Sequence, residues 1–192
     1  LFRRALDPVA AFVRQHGDLY RGAVCDAAVG LCQNRESLAF DARNAWLSLQ
    51  GAVQVLLQHQ IPFRFADRDE DAVFDGLELA IVPDLQQVSD VALARLLAFA
   101  ARGGKVLVTG DSLRCDEWGL AREEGALDAF WQHPNVTRLP GAPEKITFLS
   151  EQEFSAALGE ETNVPTHRNL PLPPDHMAFA AAVRAGLARE AV

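Results

Sequence analysis

"KVLVTGDSLRCDEWG", Lys105–Gly119, joins an apolar run to a turn that carries charged side chains and one cysteine. A short apolar run bounded by turn residues is the pattern of a strand buried on both faces. The same pattern stands at "AAVGLCQ" (27–33) and "LELAIVPD" (77–84). "IPFRFAD" (61–67) is a shorter strand with Pro62 near its start, where a lost N–H matters least. "NVTRLP" (135–140) reads as an edge strand.

Helical spacing fills the intervals. "DARNAWLSLQGAVQVLLQHQ" (41–60) offers Asp41 as N-cap and a stripe through Ala42, Trp46, Leu49, Val53, Leu56 and Leu57. Ser89 and Asp90 open a second helix whose Leu93, Leu96, Leu97 and Ala100 face one way, with Gly103-Gly104 as its stop. A third is expected over 120–131 from Leu120, Leu127, Phe130 and Trp131. Further helices are expected at 4–16, from Leu6, Val9, Phe12 and Val13, and near 175–190. Strands alternating with helices imply right-handed crossovers, and so an α/β fold: flavodoxin-like, three-layer α/β/α, with a mostly parallel doubly wound sheet.

Hydrophobic residues make up 49% and charged residues 23% of the 192, a composition that folds. The formal charge of -8 argues against a nucleic-acid partner, which would want a basic face. No apolar run approaches the roughly 20 residues that span a bilayer, so no membrane is expected. The three cysteines are too few for a disulfide framework and too irregular for zinc, which fits a reducing, cytoplasmic setting. The chain starts at Leu1 and its one methionine is Met177, the expectation being an excised piece of something larger.

In open parallel sheets ligands sit beyond the carboxyl ends of the strands, here the turns 33–37, 67–71, 84–88 and 110–118. These turns are acidic: Glu36, Asp67, Asp84, Asp111, Asp116 and Glu117. Such carboxylates contact a sugar or a divalent cation, or form a solvated rim with Arg35, Arg68 and Arg114 as counter-ions. No GxGxxG or GxxxxGK[ST] occurs, and "QNRES" after the first strand has no glycine, so no cofactor is expected. Nor is a metal, and Cys32-Gln33-Asn34 stands where a phospho-receiver needs acids.

A nucleophile elbow after "KVLVTG" would fall on Gly110 or Asp111, neither a thiol nor a hydroxyl. Ser112 and Cys115 lie beyond it. His133 in "HPN" and His167 in "THRN" have asparagine where an orienting acid belongs, so a thiol hydrolase using Cys115 and His133 ranks last. Cys25 and Cys32 read as small buried apolar residues.

The stretch from "WLSLQGAVQVLLQHQIPFRF" through "LELAIVPDLQQVSDVALARLLAFAARGGKVLVTGDSLRCDEWG" resembles the class I glutamine amidotransferase-like fold. Within it, the likeness is to the trimerisation module of family 42 β-galactosidases and related glycosidase-like proteins. The resemblance covers about residues 19–140 and departs from true amidotransferases at two places. Gly110 and Asp111 fill the cysteine's position, and "HPN" or "HRN" replaces the His-x-Glu pair.

The resemblance implies an N-terminal linker helix (1–18), an amidotransferase-like domain (19–162), and a Pro-rich arm with a C-terminal helix (163–192). It implies a non-catalytic accessory or oligomerisation domain, with an upstream catalytic barrel of the same parent chain and further copies of it as partners. Asp84, Asp111, Ser112, Asp116 and Glu117 are then residues that structure the loops or touch a ligand. The alternative is a sugar- or small-molecule-binding module, or a hydrolase, using the same acidic loops.

Overall fold

The computed structural model describes residues 10–18, 21, 26–67, 73–139 and 176–187. Cys25, Arg68, His167 and the proline-rich 163–175 lie outside them. Five strands form one sheet: β1 (Val29–Gln33), β2 (Phe63–Asp67), β3 (Leu79–Pro83), β4 (Lys105–Thr109) and β5 (Val136–Arg138). Their order is β2-β1-β3-β4-β5 and every pairing is parallel. This is the flavodoxin-like order, whose winding reverses between β1 and β3. The expected fold class is the one observed.

The helices are α1 (10–18), α2 (Arg35–Phe40), α3 (Ala42–Gln58), α4 (Asp90–Ala101), α5 (Asp128–Trp131) and α6 (His176–Leu187). β3 is buried along its whole length and β4 from its second residue, because alternate side chains enter opposite layers. Val82, Val106 and Val108 pack with Leu96, Phe99 and Ala100 of α4 and with Phe130 of α5. Leu31, Ile81 and Leu107 pack on the other side with Leu49, Ala52, Val55 and Leu56 of α3 and with Phe179, Ala180 and Val183 of α6. The C-terminal helix thus closes the second layer beside α3.

Three local expectations are corrected. "NRES" is no plain turn: Asn34 caps α2, its Oδ1 accepting from the Ser37 N–H at 3.0 Å. The stripe of α3 is rotated, so that Ala45, Ser48, Leu49 and Ala52 are buried while Trp46 and Leu57 are 50% and 64% exposed. Leu49, Val55 and Leu56 fill the buried face together with small residues, and Trp46 and Leu57 fall outside it. Residues 120–127 are not helical, and α5 spans four residues. Gly125 at φ +83° holds the left-handed conformation, which interrupts a right-handed helix.

Phe179 is fully buried although its helix follows the sheet at a distance in sequence. Phe179→Ala is expected to cost about 3–5 kcal/mol in urea unfolding, while Met177→Ala, at a position 63% exposed, leaves stability nearly unchanged.

Candidate functional site

At the carboxyl end of the sheet the loops after β1, β3 and β4 are tied together by hydrogen bonds. Asp84 follows β3 at φ +51°, is 1% exposed, and turns its carboxylate toward the loop after β4. Its Oδ1 accepts from the Asp111 N–H at 2.8 Å and its Oδ2 from the Ser48 hydroxyl of α3 at 3.4 Å. Gly110, at φ +62°, is where this carboxylate fits: an added Cβ would stand 2.5 Å from Asp84 Oδ1. A nucleophile elbow needs a side chain at this corner and free backbone N–H groups beside it. Here the side-chain space holds Asp84, and the next N–H is already bound.

Ser112 is buried and equally occupied. Its Oγ accepts from the Leu85 N–H at 3.0 Å and donates to the Thr109 carbonyl, 2.7 Å away. Leu113 N–H donates to Leu85 O and Cys115 N–H to Gln86 O, at 2.8 and 3.0 Å, and Val88 N–H returns to Cys115 O at 3.1 Å. The loops after β3 and β4 therefore run side by side, with a parallel bridge between Gln87 and Cys115. The loop after β1 is tied to the same segment. Asn34 Nδ2 donates to Gln87 O, while the Ser37 hydroxyl accepts from Gln87 N–H at 3.2 Å and lies 3.1 Å from Gln87 O. Among the described residues, Thr109 Oγ1 and Gln87 Oε1 are buried without a hydrogen-bond partner.

Beyond Cys115 the chain forms a tight hairpin. Asp116 N–H donates to Leu120 O, and Asp116 Oδ1 accepts from the N–H groups of Trp118 and Leu120, all at 2.9 Å. Arg122 N–H donates to Arg114 O at 2.9 Å, and the Arg122 side chain reaches Asp90 and the Val88 carbonyl. Asp116 thus organises the turn, Glu117 sits at its tip, and Asp111 pairs with Arg114 at 3.6 Å on a largely open surface. An exposed pair of this kind contributes little stability.

The remaining sequence candidates are dispersed. His133 precedes β5 next to the amino end of β4, where Asn135 O accepts from Val106 N–H at 2.8 Å. Cys115 follows the carboxyl end of β4. The sheet lies between them, so the topology does not bring thiol and imidazole together. His133 Nδ1 instead accepts from the Asn135 N–H at 3.2 Å. Cys32 is buried in β1, and desolvation by that burial pushes its thiol from 9.0 up to about 12. No group of three or more His, Cys, Asp or Glu among the described residues could hold a metal ion. Asn34, Ser37 and Gln87 escaped the sequence reading. The asparagine three residues before Ser37 was their one visible signal, as an N-cap.

No protein-family model matches the chain, and no curated protein does. Solved structures match it over part of its length. A β-galactosidase from Bacillus circulans sp. alkalophilus aligns with a TM-score of 0.51 at 21% identity, over 59% of this chain and 18% of its own. The apo exo-carrageenase GH42 from Bacteroides ovatus aligns with a TM-score of 0.50 at 12% identity, over 60% and 16%. Gan42B, a GH42 β-galactosidase, aligns at 28% identity with a TM-score of 0.45, over 52% and 16%. The chain therefore shares its three-layer fold with one segment of family 42 glycosidase structures, as the resemblance implied. It spans about one-sixth of the length of the structures it matches.

Two measurements probe this end of the sheet. Gly76 also has positive φ, but an added Cβ meets nothing within 4 Å, so Gly76→Ala should lose only the roughly 1–2 kcal/mol of left-handed strain. Gly110→Ala should lose clearly more in the same denaturant titration, because it also displaces Asp84. Cys32 gives a pH signature. Its folded pKa is raised, so above 9.0 the unfolded chain binds fewer protons than the native one. Stability should fall as pH climbs from 9.0 toward about 12, by up to about 1.4 kcal/mol per pH unit, and Cys32→Ala should remove that part of the slope.

Proposed function

We propose that the chain is a non-catalytic, amidotransferase-like accessory and assembly module of a larger, β-galactosidase-like carbohydrate-active protein. One observation carries this reading: the place where this fold would hold a nucleophile is filled from within by Asp84, against Gly110 and the Asp111 N–H. Asp84, Asp111, Ser112 and Asp116 then serve as residues that fix the loops. The shared fold with segments of much longer glycosidase chains supports the context.

On this reading a catalytic barrel of the same parent chain lies upstream, copies of the parent associate through such modules, and the setting is the cytoplasm. Residues 19–162 are the module proper, with α6 packed onto it. No helix among the described residues is long and apolar enough to cross a membrane.

The test has a negative and a positive arm. The purified chain should hydrolyse neither glutamine nor a small ester above background, and Cys115→Ala should change nothing. Enzyme-like turnover abolished by Cys115→Ala would overturn the proposal. Deleting the module from the full-length protein should lower the assembly mass seen by light scattering; an unchanged mass removes the assembly role.

A further inference from the structure

Away from the loops described above, two imidazoles meet where α6 packs against the end of α3. His59 follows the last residue of α3 and His176 opens α6, and their rings stand 5.9 Å apart, centroid to centroid, tilted by 35°. The backbone beneath each is fixed. His59 N–H donates to Val55 O and Ile61 N–H to Leu56 O, both at 2.9 Å, and Gln60 at φ +56° ends the helix between them. On α6, Phe179 and Ala180 follow His176 by three and four residues and are buried in the core.

One nitrogen of the pair is unsatisfied: His59 Nε2 is buried and has no hydrogen-bond partner. Leaving a polar atom in that state costs stability. In the tautomer protonated at Nδ1, this nitrogen carries a free lone pair, which is what a metal ion takes up. The spacing of the rings fits a shared ion. Zinc binds an imidazole nitrogen at roughly 2.0–2.1 Å, which sets two ring centres about 5–6.5 Å apart for N–metal–N angles from tetrahedral to linear. The observed 5.9 Å falls inside that range.

We propose that His59 and His176 hold one divalent ion of the zinc, nickel and copper class between α3 and α6, with water completing its coordination. Two side chains are the whole protein donor set, for no third His, Cys, Asp or Glu among the described residues joins them. The site is therefore weak and exchangeable, a clamp that tightens α6 when metal is abundant. Imidazole selects these ions over magnesium and calcium, which take oxygen ligands. Arg184 works in the same direction. Its guanidinium lies 3.5 Å from the His59 carbonyl and repels any cation, so that only an ion which gains from nitrogen ligation is retained.

The experiment titrates the untagged 192-residue chain with Zn²⁺ and Ni²⁺ by calorimetry, with Mg²⁺ as the comparison. One ion should bind per chain, and His59→Ala or His176→Ala should each weaken binding about tenfold or more, because one imidazole then acts alone. Glutamine at either position repeats the comparison where alanine disturbs the circular dichroism spectrum. His16→Ala, His133→Ala and His167→Ala should leave binding unchanged. In urea titrations Zn²⁺ should raise the unfolding midpoint of the native chain, and should not do so once either histidine of the pair is replaced.

Absence of saturable binding overturns the proposal, as does binding that one histidine of the pair supports as well as two. Binding lost with His16, His133 or His167 belongs to another imidazole and overturns it too. An equal response to Mg²⁺, or binding that leaves the urea midpoint where it was, has the same consequence.

Discussion

A single buried carboxylate joins the loops at the carboxyl end of this sheet. Asp84 leaves β3 in a conformation that few residues other than glycine adopt, and it does so to put one oxygen on the Asp111 N–H and the other near the Ser48 hydroxyl. A carboxylate taken out of water is costly unless its hydrogen bonds are remade. The loop after β4 makes that compensation, and Gly110 leaves the space for it. Once this corner is set, Ser112 and Leu113 fall beside Leu85, and Cys115 beside Gln86 and Gln87. The hairpin bearing Trp118 is the outermost product of that chain of contacts.

The same arrangement explains why the turn has the look of an active site. A parallel sheet wound in both directions opens a crevice at its carboxyl ends, and polar residues gather there whatever their task. In this chain they hydrogen-bond to one another. Asn34 and Ser37 tie the loop after β1 to Gln87, and Asp84 and Ser112 tie the loop after β3 to the loop after β4.

Strands were legible in the sequence because burial on both faces writes itself as uninterrupted Val, Leu and Ile. "LAIVP" and "KVLVT" needed only the chain to be located. Faces of helices were less legible, since α3 buries Ala45 and Ser48 beside Leu49 and Leu56 and leaves Trp46 and Leu57 outside. An apolar stripe counts hydrophobicity, whereas close packing depends on how each side chain fits its neighbours, and it admits a hydroxyl such as that of Ser48 where a partner stands. The site was half legible. Asp84, Ser112 and Asp116 were picked out for their chemistry, but which backbone N–H each would meet depends on loops brought together from distant positions.

The place of α6 bears on how the protein comes into being. Phe179, Ala180 and Val183 share one apolar cluster with Leu31 and with Leu49 of α3, which are made far earlier in synthesis. The layer of α4 and α5 against the sheet can consolidate while the ribosome is still working. The opposite layer has α3 early but is completed only when α6 emerges, so that until then part of that face of the sheet is open to whatever apolar surface it meets first. For a segment that elsewhere sits within much longer polypeptides, the order of emergence from the ribosome is thus part of what its sequence specifies.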